Sequence, residues 1–337
     1  MGYIKDMDQA CVVAEQPSKG RTQIESSLFH EPWWLCATTD GRYEESRVKQ
    51  GSDVVGRLPY AMVRRGPFCT IRMPRFTHLL GPVVNAGLGK PQTRLIRRLS
   101  IIRSLIDQLP PHSFFLQHLD PSIDGGLAIA DGLAFQDRGF SVAPQYTFEI
   151  DCRKSSEDLW TAMHFKTRQH IRRAEENYVV RSVDDPQYFI RFYLSNIEIS
   201  GKVNQMEFEC FPALFSECRA RKCGEILSAL APDGSPVAMV YLVWGHNTMY
   251  YLLSTRAPDK SNNGAVNFLI WSGMKQASQL GLVFDLDGVY SSGTARFLSG
   301  FGGQIKTRLT VRRSRMPYRA LQFLKSRYKR DESQFFT

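Results

Sequence analysis

Apolar and polar positions are most tightly ordered between Pro236 and Gln304. Two runs, Val237–Trp244 and Met249–Thr255, are rich in β-branched and aromatic residues. Only Gly245-His-Asn-Thr248 separates them, which predicts a β-hairpin. A polar stretch follows, Arg256–Gly264, then helical spacing from Ala265 to Leu280 and a short apolar strand from Leu282 to Asp287. A Gly-rich, aromatic turn closes the region with Arg296-Phe-Leu-Ser-Gly-Phe-Gly-Gly303. A loop that feeds a helix offers unbonded backbone N–H groups and the positive end of the helix dipole, a combination that binds phosphate. Here that N-terminus falls near Asn262, Asn263 and Gly264, and Asn is a favoured N-cap. Arg256, at the end of the preceding strand, is placed to neutralise a second phosphate. An ordinary capped surface helix fits the same pattern.

The rest of the chain alternates in a similar way. Residues 1–26 are polar and lack periodicity, and read as a tail. Val54–Val63 predicts a strand interrupted by Pro59, hence a bulge or an edge. Arg72–Val83 reads as a loop with two prolines. Leu95, Ile96, Leu99, Ile102, Leu105, Ile106 and Leu109 recur at helical spacing between Thr93 and Leu109, and Pro110-Pro111 ends that helix. Ser113–Gln117 and Gln145–Ile150 predict strands, with a loose helical pattern from Ile123 to Asp137 between them. Further on come a helix over Leu159–Asn177, a strand over Val179–Val183, and helices over Pro186–Ile199 and Pro212–Lys222. Two α/β halves are the simplest account: residues 27–145 and 146–312.

Within the helix at 159–177, Trp160, Met163, Thr167, Ile171 and Ala174 form one apolar stripe. The other faces carry His164, Lys166, Arg168, His170, Arg172 and Arg173. Of these, Lys166, Arg168, His170, Arg172 and Arg173 are candidates for binding a phosphorylated or acidic acceptor. A solvated face balanced by Glu175 and Glu176 is the alternative. Residues 313–337 predict a basic amphipathic C-terminal helix and tail, with Met316, Ala320, Leu321, Leu324 and Tyr328 as its stripe. Such a helix can lie on an anionic membrane or dock on its own domain.

Composition narrows the class. Hydrophobic residues make up 43% of 337 residues and charged residues 23%, enough to build sizeable cores rather than a disordered chain. No apolar run approaches the roughly 18–20 residues of a membrane span, and Ala10–Ala14 is too short for a signal-peptide core. A cytoplasmic protein is expected. The net charge of +10 calls for an anionic partner such as nucleotide phosphates, lipid-linked sugar phosphates, the inner membrane face or tRNA. The seven cysteines show no C-x-x-C and no zinc spacing, so reduced, mostly buried thiols and no metal are expected.

Two motifs carry a resemblance. The first is the strand Tyr146–Asp151, a Trp-bearing helix start and Arg168-x-x-Ile-Arg-Arg-Ala-Glu-x-x-Tyr178. The second is Arg296-Phe-x-x-Gly-Phe-Gly-Gly303. Together with the order hairpin, loop, helix, strand, they resemble the Fem family and its relatives in the GNAT acyltransferase superfamily. The resemblance spans roughly residues 29–312. It implies two tandem GNAT-like domains, each a mixed, mostly antiparallel twisted sheet flanked by helices. It also implies acyl-CoA, as acetyl-CoA, as co-substrate. The acyl arm would lie in the cleft between the fourth and fifth strands, along Leu252, Leu253, Ser254 and Thr255. Its pyrophosphate would sit on Arg256, Asn262, Asn263, Gly264 and Ala265. The usual Arg/Gln-x-x-Gly-x-Gly/Ala loop is present only in a stretched form, Arg256 with Asn263-Gly264-Ala265.

Acyl transfer needs a group to take the nucleophile's proton, a polarised carbonyl and close placement of the two. Asp285 and Asp287, at alternate positions of one strand, are the candidate base pair, with Asp287 favoured. Tyr251 and Tyr290 are candidate proton donors to the leaving thiolate. The acceptor implied is a nucleotide- or lipid-linked sugar of cell-envelope or polysaccharide synthesis. A Fem-type enzyme using aminoacyl-tRNA is the alternative, although no long heptad-bearing insertion is seen. A non-catalytic nucleic-acid-binding or scaffold protein with degenerate GNAT domains stays open.

Overall fold

The computed structural model describes residues 26–119, 128, 130–201, 204, 206–245, 247–258, 264–289, 291–316 and 318–320. In chain order the elements are α1 (Pro32–Thr39), β1 (Tyr43–Gln50), β2 (Asp53–Arg65), β3 (Phe68–Arg72), β4 (Val83–Val84), α2 (Pro91–Asp107), β5 (Phe114–Leu119) and α3 (Asp131–Gln136). Next come β6 (Ser141–Asp151), α4 (Ser156–Ala162), α5 (Phe165–Asn177), β7 (Val179–Val183), α6 (Pro186–Ile199), α7 (Phe211–Ala220) and β8 (Gly224–Leu230). The chain continues with β9 (Pro236–Trp244), β10 (Thr248–Arg256), α8 (Ala265–Gln279), β11 (Val283–Gly288), α9 (Ser292–Ser299) and β12 (Gln304–Ser314). Two compact units form, Met1–Pro144 with Arg308–Thr337, and Gln145–Thr307. The stretch of β12 from Arg308 to Ser314 therefore groups with the first unit, whereas the sequence pattern places 308–312 in the second half. Among the described residues no helix is long and apolar enough to cross a membrane.

Each unit is a mixed, mostly antiparallel sheet flanked by helices. In the first, the order is β1–β2–β3–β5–β12, with β4 on β2, and only β3 and β5 run parallel. Its core gathers Leu58, Ile71, Ile102, Leu105, Phe115 and Phe135. Pro59 sits in β2 between the pairing to β4 at Gly56–Arg57 and that to β3 at Ala61–Arg65, where its missing N–H leaves no ladder broken on that side. Arg98 and Asp131, both buried, form a bidentate pair at 2.6 and 2.8 Å that fastens α2 to α3. In the second unit the order is β6–β11–β10–β9–β8–β7, and only β10 and β11 run parallel. Its core joins Phe148 and Ile150 of β6, Val240 and Leu242 of β9, Leu269 and Met274 of α8, and Phe284 of β11.

Several elements escape the hydrophobic pattern. β1 is strongly charged yet pairs along its whole length with β2, as suits an edge strand whose outer groups stay solvated. β3 and β8 are strands that the pattern does not announce, and the Gly-rich turn expected to close with Arg296–Gly303 begins inside α9. β12 runs through Arg312 and Arg313, so the C-terminal helix starts later than expected, at Met316. The helix expected over Leu159–Asn177 is two helices. Met163 and His164 are extended between them, and the Gly300 carbonyl accepts the His164 N–H at 2.9 Å. Cys36 is disulfide-bonded, against the expectation of reduced thiols throughout, because sequence spacing does not reveal which cysteines fold together. Cys69, Cys152, Cys210, Cys218 and Cys223 are free. The N-terminal tail and everything after Ala320 lie outside the described residues.

Candidate active site

β10 and β11 pair only from Thr248 to Tyr250, against Val283 to Asp285. Beyond that point they part. β10 follows β9 to Arg256, with a bulge at Leu252, and a bulge bends its strand. β11 follows β6 to Gly288, with its own irregularity after Asp285. A cavity of about 660 Å³ opens beside the parted stretch of β10. From β10 and the residues after it, Tyr251, Ser254, Thr255, Arg256 and Pro258 line it. Tyr193, Asn196 and Ile197 of α6 and its C-cap Ser200 form another wall, and Gly264, Val266 and Asn267 bring the start of α8 to its rim. Phe297 of α9 completes the described lining.

The wall is held by buried polar contacts. Asn196 Nδ2 donates to Thr255 Oγ1 at 2.9 Å with both residues buried, which fixes α6 on β10. Tyr251 hydrogen-bonds with Ser254, and burial pushes its phenol up to about 12 despite that bond. Tyr251 therefore keeps its proton at neutral pH. Of the other cofactor candidates, Leu252 is buried and Leu253 half-buried, and neither is part of the described lining.

Gly264 is the N-cap of α8, with φ +75° and no side-chain cap. This corrects the expected Asn cap, and Asn262 and Asn263 lie outside the described residues. The glycine is demanded twice. Its φ is left-handed, and a Cβ there would come 2.9 Å from the carbonyl carbon of His170 in α5. Phe268 N–H bonds the Gly264 carbonyl at 2.9 Å, which sets the start of α8 at Ala265. Ala265 itself is buried.

The two carboxylates do not form a matched pair. Asp285 is 2% exposed. Its Oδ1 accepts the Thr147 hydroxyl at 2.6 Å and the Asp287 N–H at 2.9 Å. Asp287 is half-buried and left-handed, φ 57°, so the two-residue alternation that would place both on one strand face is broken. Neither lines the cavity among its described residues. Tyr290 lies outside the described residues.

The cations of α5 serve different ends. Arg168 Nη1 donates to the Thr161 and Met163 carbonyls at 2.9 and 3.0 Å, satisfying the C-terminus of α4. That corrects its expected role as an acceptor ligand. The Arg172 guanidinium lies 5.5 Å over the Trp160 ring. Lys166 and Arg173 are exposed and His170 half-buried. The two sequence motifs meet here: a Cβ on Gly302 would come 2.6 Å from the Ala162 carbonyl oxygen, and one on Gly300 would strike Thr167 Oγ1. The α6 wall was missed because nothing local in Tyr193, Asn196, Ile197 or Ser200 announces a ligand.

In the first unit the same order of hairpin, loop, helix and parallel strand recurs as β2–β3, α2 and β5. There the parting of β3 and β5 after Arg72 is filled by the chain itself. Leu80 N–H donates to the His118 carbonyl at 2.7 Å, and Met73 Sδ accepts the His118 N–H at 3.4 Å. Leu79 and Leu80 are buried, and Gly81, φ +132°, abuts Leu119.

Residues 144–292 match the family model described as Acetyltransferase (GNAT) domain. No curated protein matches the sequence. Among solved structures, FemX aligns with a TM-score of 0.64 at 12% identity, over 86% of this chain and 93% of its own. L-PGS from Bacillus licheniformis aligns at 0.52 and 14% identity, over 88% and 90%. The C-terminal domain of a putative lysylphosphatidylglycerol synthetase from Agrobacterium fabrum aligns at 0.52 and 13%, over 86% and 89%. Residues 144–292 thus match a GNAT acetyltransferase domain, within a chain whose fold is similar to that of FemX.

Proposed function

We propose that the protein is an acyltransferase. It moves an acyl group, acetyl in the simplest case, from acyl-CoA to an amine or hydroxyl of a cell-envelope or polysaccharide precursor. The observation that carries this reading is the parting of β10 from β11 after Tyr250, beside a cavity whose rim is the start of α8. The residues fit such a donor. Arg256 and the start of α8 would hold the pyrophosphate, with Gly264 packed against the His170 backbone of α5. The unpaired edge of β10 would offer N–H groups to the thioester carbonyl. Asp287, half-buried at the parted end of β11, is the carboxylate proposed to take the nucleophile's proton. Tyr251, protonated at neutral pH, would give one to the departing thiolate, so that a C–N or C–O bond forms as the C–S bond breaks.

The acceptor is proposed to be anionic, a nucleotide- or lipid-linked sugar, in keeping with the net charge of +10. The protein is proposed to be cytoplasmic, touching the inner membrane face through its basic C-terminal segment. Tyr318 holds the start of that segment to Phe68 and Phe114, with Arg72 bonded to its hydroxyl at 2.7 Å, while Met316 stays 74% exposed.

A second reading, transfer of an aminoacyl group from tRNA, is supported by the fold shared with FemX and by the glycine-poor donor loop. Calorimetric titration with acetyl-CoA and CoA separates the two. Saturable micromolar binding, weakened about tenfold by Arg256→Ala, is expected. Absence of binding at millimolar CoA would overturn the first reading in favour of charged tRNA. Salt-dependent RNA binding without turnover would instead point to a non-catalytic protein.

A further inference from the structure

The cations of α5 divide between two flanks of the helix. Thr167, Ile171 and Ala174 turn into the core. A rotation of about 100° per residue then sets Arg168, Arg172 and Glu175 on one side and Lys166, His170 and Arg173 on the other. The first flank is committed to α4, through the carbonyls that Arg168 satisfies and the Trp160 ring beneath Arg172. The second flank belongs to the turn of α5 against which Gly264 packs, 2.9 Å from the His170 carbonyl carbon and 3.3 Å from its Cα when a Cβ is placed there. Gly264 is also on the rim of the cavity. His170 therefore stands beside the point where the cavity reaches the start of α8, with Lys166 one turn before it and Arg173 one turn after it on the same flank. The described lining of that cavity contains Arg256 and no carboxylate, and the acids of α5 lie off this flank, Glu175 opposite and Glu176 outward.

A nucleotide donor whose thioester lies between the parted strands and whose pyrophosphate lies at the start of α8 must leave the cavity across this rim. Its remaining phosphate is a monoester of charge near −2, the kind of group that exposed Lys and Arg bind best. We propose that Lys166, His170 and Arg173 form a cationic rim that binds the 3′-phosphorylated nucleotide end of a CoA-type donor, and not the acceptor. This rests on the acyl-CoA reading of the second unit.

The test compares the affinities of CoA and dephospho-CoA for the full chain and for Lys166→Ala, Arg173→Ala and Arg172→Ala, after melting curves have shown that each variant folds. The wild type is expected to bind CoA about tenfold more tightly than dephospho-CoA. Lys166→Ala and Arg173→Ala should shrink that preference to about twofold while leaving dephospho-CoA affinity unchanged. Arg172→Ala, on the committed flank, should keep the full preference. Equal wild-type affinity for the two nucleotides, or a preference untouched by Lys166→Ala and Arg173→Ala, overturns the rim and leaves the donor reading standing. So does an acceptor-stem RNA whose binding, unlike that of CoA, falls in those two variants. Failure to bind either nucleotide overturns the donor reading and the rim with it.

Discussion

The carboxylate of Asp285 accepts a hydrogen bond from the Thr147 hydroxyl at 2.6 Å, tying β11 to β6 where β11 takes leave of β10. With 2% exposure and a second bond from the Asp287 N–H, Asp285 holds the parted strands in place. Asp285→Ala leaves the Thr147 hydroxyl without this acceptor and should cost about 2–3 kcal/mol, read as a melting temperature lower by several degrees. Asp285→Asn keeps an acceptor oxygen and should retain kcat within a few-fold. An Asn variant that folds but is inactive would make Asp285 the base after all.

Tyr251 offers a protonated phenol at the parted end of β10. Tyr251→Phe keeps the ring and removes the proton, so kcat should fall about a hundredfold with CoA affinity changed less than twofold. Because burial raises the phenol to about 12, kcat should show no alkaline decline from this group below about pH 11. An unchanged kcat in the Phe variant would assign the proton to another donor.

Gly264 has no room for a side chain. Gly264→Ala places a Cβ against the backbone of His170 at a left-handed φ, so α8 must move off α5 or strain must remain, at about 1–3 kcal/mol. The expected result is a lower melting temperature together with a loss of CoA affinity of about tenfold or more. Wild-type affinity in a stably folded variant would show that the α8 start does not meet the donor.

One chain should bind one donor. The second unit has a cavity beside its parted strands, whereas Leu79, Leu80 and Gly81 fill the corresponding place in the first. Calorimetry should give a stoichiometry of one CoA per chain, and two would mean that this segment yields to ligand.

His30 makes the first unit acid-sensitive. It is fully buried, its Nδ1 meets Ser27 Oγ at 2.8 Å, and desolvation with the nearby Arg57 charge lowers its pKa to about 3. The unfolded chain takes up this proton below about pH 6.5 and the folded chain only near pH 3. The stability is therefore present above pH 6.5 and is lost at about 1.4 kcal/mol per pH unit as the pH falls toward 3. Denaturant titrations between pH 7 and 4 should show this slope, and His30→Gln should flatten it.

The sequence by itself determined the elements with strong periodicity. β9, β10, α8 and β11 follow from apolar runs whose spacing allows little else, as do α2 and α6. The motif at 296–303 pointed to the fold because glycine is needed at 300 and 302, where the chain comes against Thr167 and the Ala162 backbone. Tertiary structure decided the rest. It split one predicted helix at Met163–His164, because the Gly300 carbonyl bonds an amide that a continuous helix would keep for itself. It turned Arg168 toward α4, since the Thr161 and Met163 carbonyls at the end of that helix need a donor. It set Asp287 left-handed, which no two-residue periodicity can foresee. It opened a cavity beside β10 and filled its counterpart beside β3, although both units follow the same order of elements. Periodicity reports what each segment must bury, but a cleft depends on which distant segment arrives to fill it, and that is settled only when the chain folds.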